Sequence, residues 1–304
     1  EAADEIVKKA NVDYLDEEYY WEQHKLTGHV LIGFIRAYQQ ICEGESGQYI
    51  HWGTTTQDIT DTAMMLQLKE ANDIIINKVE ILIEELKKKA VQYKDLIFMG
   101  RTNDQQAVPI TLGFKLAMWL DELNRCLERI KKSEDRIFVG QFSGAVGTMA
   151  SLGEQGLEVQ RLLLEELGLG VPKIAWFASR DRIVELISNL CILTGSLGRI
   201  GNEIYNERRT EVDELSEEYG QGQVGSSTMP HKRNPFVPAL LAAYGRYCRS
   251  VMSDALLCME NTNERDSRVL FIEYYPIKDA FFLADASLDL AIKIISGLTV
   301  NHNK

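Results

Sequence analysis

The sequence predicts an all-α fold built as a long antiparallel helical bundle, and three observations carry that prediction. Apolar side chains recur at steps of three, four and seven over stretches longer than an average helix. Only six prolines interrupt 304 residues. No run shows the apolar–polar alternation of a half-buried strand, so no sheet is expected.

Taken in order, Leu68, Ile75, Val79, Leu82 and Leu86 form one stripe of a helix expected from Met64 to about Tyr93. A second helix is expected from Thr111 to about Arg136. A third runs from Gly153 to Leu167 and stops at Gly168-Leu-Gly-Val-Pro172. The fourth is the most regular, with Ile183, Leu186, Leu190, Leu193, Leu197, Ile200 and Ile204 alternating steps of three and four in a coiled-coil-like seam. Gly195, Gly198 and Gly201 lie in the same stretch, each costing about 1 kcal/mol against alanine, which implies close approach of another helix or a bend. A polar continuation to Glu218 would make this helix about 35 residues and roughly 50 Å long. Helices over about 236–260 and 275–297 complete the set. Helices of this length cannot all bury their seams in one compact subunit, so assembly into a multi-subunit central bundle is expected. Residues 1–50 read as the remainder of an N-terminal helical domain, 51–304 as the long-helix domain, and Asn301–Lys304 as an unstructured stub.

A net charge of −12 argues against nucleic-acid binding and against attachment to an anionic membrane. Five cysteines (Cys42, Cys126, Cys191, Cys248, Cys258) are odd in number and contain no CxxC pair, as in a reduced cytoplasmic protein rather than a disulfide or zinc scaffold. No signal peptide is visible, and no apolar run approaches membrane-spanning length. The first residue is Glu rather than Met, so the terminus says little about compartment.

Three segments carry chemistry. Gly225-Ser-Ser-Thr-Met-Pro-His-Lys-Arg-Asn-Pro235 brings two hydroxyls and Lys232 to an expected helix start, with Asn234 as N-cap and Pro235 at the first helical position. Such a place suits a carboxylate or another anion. His51-Trp-Gly-Thr-Thr-Thr-Gln-Asp-Ile-Thr-Asp-Thr62 sets three threonines before a second helix. Gly100-Arg-Thr-Asn-Asp-Gln-Gln-Ala-Val-Pro109 reads as a polar loop whose amides either bind a ligand or cap the next helix. No metal-ligand cluster or dinucleotide fingerprint is present, and no cofactor is expected.

The first of these segments resembles the Gly-Ser-Ser-x-Met-Pro-x-Lys-x-Asn signature of the fumarase/aspartase superfamily. The second resembles that superfamily's His-x-Gly-x-Thr-Ser-x-Asp-x-x-Asp-Thr region, and the third its Gly-Arg-Thr-His region. Arg180-Asp-Arg182 and Gln141-Phe-Ser-Gly-Ala-Val-Gly-Thr148 are similar to the branch holding adenylosuccinate lyase and 3-carboxy-cis,cis-muconate cycloisomerase. The resemblance spans about Gly28 to Leu298. It implies a cytoplasmic lyase that removes a proton next to a carboxylate and expels a group from the neighbouring carbon, usually giving fumarate. Ser226 would be the base, with Ser227 the alternative, and Lys232 and Asn234 would hold a substrate carboxylate. Thr55, Thr56 and Gln57 would contact the ligand beside His51. Arg101, Thr102, Asn103, Gln105 and His231 would bind substrate, and Arg180 would either reach it or start a helix through an ion pair. The same resemblance implies a small di- or tricarboxylate substrate, a homotetramer with active sites shared between subunits, and an absent small C-terminal domain. Two positions depart from adenylosuccinate lyase: Asn103 stands where that enzyme has an acidic histidine, and Tyr274 where it has a phosphate-anchoring arginine. Cycloisomerisation is therefore the alternative activity, and a non-catalytic, crystallin-like relative the alternative from another class.

Overall fold

The computed structural model describes residues 1–220 and 222–304. Its helices are α1 (Ala2–Lys8), α2 (Glu17–Thr27), α3 (Val30–Ile41), α4 (Thr56–Gln92), α5 (Leu112–Ile137), α6 (Gly156–Glu166), α7 (Asp181–Glu207), α8 (Phe236–Leu257), the single turn α9 (Ser267–Leu270) and α10 (Tyr274–Ser296). The fold is all-α, and the long helices lie over the stretches where apolar periodicity predicts them, with some of their ends elsewhere.

Sequence expectation and structure part at three places. Residues 97–111 are not a loop but a hairpin, β1 (Ile97–Thr102) against β2 (Gln105–Thr111). Asn103 and Asp104 form its turn, both at positive φ (52° and 59°), the conformation a two-residue type I′ turn requires and Asn and Asp tolerate. The fourth predicted helix ends at Glu207 rather than Glu218. Beyond it Arg208 pairs with Asp213, which turns the chain at φ 53°, and β3 (Leu215–Ser216) follows. The C-terminal stub is docked: β4 (Thr299–Val300) pairs with β3, and Asn301 N–H donates to Glu214 O at 3.0 Å.

The chain divides into two compact units, residues Glu1–Met65 with Val139–Phe177, and Leu66–Phe138 with Ala178–Lys304. In the first unit, α2 and α3 pack closely enough that a Cβ on Gly33 would meet Tyr20 O at 3.2 Å. Trp176 donates its indole N–H to Gly140 O at 2.9 Å and closes the 139–177 segment on itself.

The second unit is built on α7. Its seam from Ile183 to Ile204 is buried against α5, α8 and α10. This helix is long and apolar enough to cross a membrane by length and composition, but most of that stretch is packed inside the unit, as in a core helix. α7 and α8 run antiparallel: Gly198 lies against Gly245, Gly201 against Leu241 and Pro238, and Cys191 against Cys248 with their sulfurs 3.1 Å apart. A Cβ on Gly198 would sit 2.8 Å from Gly245 Cα, whereas one on Gly195 would meet nothing within 4 Å. Gly198→Ala is therefore expected to destabilise by about 1–3 kcal/mol through overpacking. Gly195→Ala should be neutral or stabilising by up to about 1 kcal/mol through helix propensity. Urea titrations of the two variants check the contrast.

Candidate functional site

The first segment is organised by the buried face of α4's opening turns. Asp58 Oδ2 accepts from Thr55 N–H at 2.8 Å, the reach-back half of a capping box. The same carboxylate accepts from Ser143 N–H at 2.7 Å and Gly144 N–H at 3.0 Å, joining the 51–58 loop to the glycine-rich 141–148 segment. Burial still pushes the Asp58 carboxyl above the usual range, against the pull of those three amides. Thr62 repeats the device, donating to Gln141 O at 2.7 Å and accepting from Gln141 N–H at 2.9 Å.

Thr54, Thr55 and Thr56 remain half-exposed beside His51. Gln57 does not: it is 1% exposed, and its amide donates to Asp61 and to Phe177 O, both at 3.0 Å. Its amide nitrogen is thus taken up by the fold, while its Oε1, like Nε2 of His51, is buried without a hydrogen-bond partner. His51 sits at φ 68°, with Nε2 buried and without a hydrogen-bond partner. A buried, unpaired imidazole nitrogen costs free energy unless a ligand meets it. Burial lowers its pKa, with Asp58 opposing and His29 adding to the shift. A lowered folded-state value contributes stability above the unfolded pKa, about 6.5, and that contribution is lost as pH falls. His51 is expected to titrate below free histidine in an NMR pH series, and saturating dicarboxylate should move its ring resonances.

The second segment is the exposed tip of the hairpin, where Thr102, Asn103 and Gln105 are presented. Asn103 acts as a turn residue, so neither a loop amide nor a helix cap describes it. Arg101 points away from that tip. Its guanidinium is held by Glu214 at 2.6 and 2.8 Å and by Glu207 at 3.0 Å, leaving it 15% exposed. Its assignment as a substrate ligand is corrected on that ground.

The third segment is an irregular loop closed on itself. Asn234 donates its side-chain amide to Gly225 O at 3.0 Å, Tyr219 O–H donates to Asn234 O at 2.8 Å, and Arg233 lies over the Tyr219 ring at 5.0 Å. Gly225 permits the closure, since a Cβ there would meet Lys232 O at 2.5 Å. Asn234 is not the N-cap: Pro235 holds that position and α8 starts at Phe236. The expected empty anion site at this helix start is partly filled by Glu217, buried beside the amides of Phe236 and Val237. Those amides lower its pKa, but burial prevails and raises it. No local signal marks Glu217, which lies in an irregular stretch well upstream of the helix it faces.

Within the loop, Ser226 and Ser227 differ. Ser226 is half-exposed, and its Oγ accepts from Met229 N–H at 3.1 Å and Thr228 N–H at 3.4 Å. Ser227, His231 and Lys232 are exposed. Arg180 belongs to none of the three segments. Its side chain is wholly buried and grips Glu273 with Nε and Nη2 at 2.8 and 2.5 Å, so the ion-pair alternative holds. Among the described residues, no group of three His, Cys, Asp or Glu side chains is placed to hold a metal ion.

Comparison with known proteins identifies the chain's relatives. A family described as lyase matches residues 17–252. N-acetyl-S-(2-succino)cysteine lyase of Dickeya dadantii (strain 3937) is 40% identical over 307 residues, covering 100% of this chain and 67% of the relative. Adenylosuccinate lyase of Methanocaldococcus jannaschii is 40% identical over 303 residues, covering 99% and 66%. The crystal structure of 3-carboxy-cis,cis-muconate lactonizing enzyme from Pseudomonas putida superposes with a TM-score of 0.91 at 33% identity, covering 99% of this chain and 68% of that one. The chain thus spans about two thirds of the length of these relatives.

Proposed function

Because the chain belongs to the fumarate lyase superfamily, we propose that it eliminates a leaving group from a succinyl-type substrate to give fumarate, with Ser226 as the base. The observation that carries this reading is the pair of amides on Ser226 Oγ. Donors aimed at an oxygen favour its anionic form, which is what a serine needs in order to act as a base. The Ser226 alkoxide takes the proton next to one carboxylate and becomes a hydroxyl. The electrons left behind spread onto that carboxylate, where Lys232 and the half-exposed threonines would meet the developing charge. They then form the double bond as the leaving group departs with its bonding pair.

The leaving group is argued from Asn103. An amide cannot deliver a proton, so a group that leaves readily as an anion is favoured. A thiolate does so, with a thiol pKa of about 8.5, whereas an amine must be protonated as it departs. An S-succinyl thioether is therefore the preferred substrate class, as in the name of the Dickeya relative. Tyr274, which offers no guanidinium for a phosphate, weighs against a nucleotide. We further propose that the three segments complete one site between copies of the chain, in the cytoplasm. The likeness to the lactonizing enzyme supports a second reading, cycloisomerisation. Incubating the full-length protein separately with S-succinyl-cysteine derivatives, adenylosuccinate and 3-carboxymuconate, with NMR detection of fumarate, tests all of these. Release of fumarate and thiol supports the proposal. Lactone without fumarate establishes the second reading, and turnover of none of the three removes the enzymatic one.

A further inference from the structure

Five charged side chains at the base of the hairpin form a cluster that the proposed reaction does not use. Arg101 on β1 donates to Glu214 from Nη1 and Nη2 at 2.8 and 2.6 Å, and from Nη1 to both carboxylate oxygens of Glu207, the last residue of α7, at 3.3 and 3.0 Å. Lys115 on α5 pairs with Glu203 and, at 3.5 Å, with Glu207. Three carboxylates face two cations, so the fully ionised cluster carries an unbalanced negative charge. The Glu207 side chain is only 5% exposed, and a buried, unbalanced charge is costly. The carboxyls of Glu207 and Glu214 meet on the same guanidinium nitrogen, Arg101 Nη1, at 3.0 and 2.8 Å, and two carboxyls brought that close favour a state in which one of them keeps its proton.

The cluster grips the hairpin where its ladder is weakest. The strand register breaks between Met99 and Arg101, so the final rungs, Arg101–Gln106 and Thr102–Gln105, stand apart from the rest. Arg101 lies two residues from the turn, and its guanidinium ties those rungs to the end of α7 and to the residue before β3.

We propose that Arg101, Glu207 and Glu214 are positioning residues that fix the tip carrying Thr102, Asn103 and Gln105, and that one proton held between the two glutamates governs how firmly they do so. The functional half of this inference rests on the tip's being a substrate-binding segment. Burial of Glu207 gives the effect its direction. Burial pushes the Glu207 carboxyl up to about 7, against Lys115 from α5 and Arg101 from β1, while Glu214 beside it raises it further. Glu203 on its own helix shares Lys115. A raised folded-state pKa contributes stability below the unfolded value, about 4.3, and that contribution is lost as pH rises through neutrality. The tip is therefore held firmly in mild acid and released in mild alkali. His302 and Lys304 line a cavity with Glu214 and Gln106, so His302 is the competing titratable group.

Hydrogen exchange at residues 101–106 tests this, compared at about pH 6 and about pH 8.5, either side of neutral, after correction for intrinsic rates. In the wild-type protein, protection of these amides should fall about tenfold between the two conditions. Glu207→Gln cannot ionise and should abolish the change. Glu214→Gln removes the neighbouring charge and should move the transition to lower pH. His302→Asn should leave it in place. The same transition in Glu207→Gln as in wild type, or its loss in His302→Asn, overturns the proposal; the Glu214→Gln result decides if Glu207→Gln does not fold. On whichever compound is turned over, KM should rise with pH in wild type and stay level in Glu207→Gln, with kcat nearly unchanged. Abolished exchange change with an unaltered KM profile keeps the positioning and overturns the tip as a substrate segment.

Discussion

Glu273→Ala is expected to lower stability by about 3–5 kcal/mol, the cost of leaving a buried charge without its counter-ion. Arg180 immediately precedes α7 and Glu273 immediately precedes α10, and their side chains are 0% and 1% exposed. Two charge-assisted bonds at 2.8 and 2.5 Å fix the starts of both helices to each other. Removing the carboxylate strands a guanidinium that stays ionised at any working pH. Against the roughly 5–15 kcal/mol that usually stabilises a folded protein, that loss is large. The double variant Arg180→Met/Glu273→Leu should recover most of it, because apolar replacement of a buried pair is often neutral. Urea unfolding of both variants provides the check. A loss below about 1 kcal/mol for Glu273→Ala would mean that the pair behaves as a solvated surface bridge, contrary to its burial.

The long helices were legible because apolar periodicity is a local property of the chain. The seam from Ile183 to Ile204, read as a coiled-coil stripe, is the face that α7 buries. The start of α4 was legible from its threonines but not from periodicity, since its first turns bury Gln57, Asp58, Asp61 and Thr62 and show no apolar period. They are buried because backbone amides and carbonyls from residues 141–144 and 177 meet them, a pairing that no local pattern encodes. The hairpin escaped for another reason. Its register shift breaks the alternation of β1, and β2 is largely exposed. The one available signal was Asn103-Asp104, a pair suited to a type I′ turn. The end of α7 was misplaced because polar residues continued the pattern beyond Glu207. Asp213 in the left-handed region and the buried Leu215 end the helix instead.

For the site, hydroxyls and amides in short motifs were legible, whereas cations were not. Arg101 looked available to an anionic substrate, and Arg180 read either as a substrate contact or as a helix-starting ion pair. Each is neutralised by glutamates roughly a hundred residues away in sequence, partners that only the fold reveals. Lys232 belongs to the same signature loop as Ser226 and Asn234, and it remains exposed. With Arg101 paired, the exposed cationic side chains of these segments are Lys232 and Arg233 in the signature loop, which fits the small dicarboxylate proposed above.

Ser226→Ala is expected to lower kcat by about two to four orders of magnitude, the range of a general base, with KM changed little. Ser227→Ala should be far milder. The structure gives a reason for this asymmetry that the paired serines in the sequence lack. Only at Ser226 do two backbone amides converge on the hydroxyl oxygen among the described residues. An alkoxide at Ser227, exposed to water, would have no such donors to lower its pKa. Single-turnover kinetics on the compound that the full-length protein turns over separates proton abstraction from product release, and deuterium at the abstracted position should slow that step. Equal losses at both serines, or a greater loss at Ser227, would transfer the base to the second hydroxyl. The three-segment arrangement adds a further consequence. If the hairpin, the 51–56 loop and the 225–235 loop of one site come from different copies of the chain, mixing Ser226→Ala protein with a Thr55→Val variant should restore part of the activity that each has lost. Copies that build their sites alone would gain nothing from being mixed.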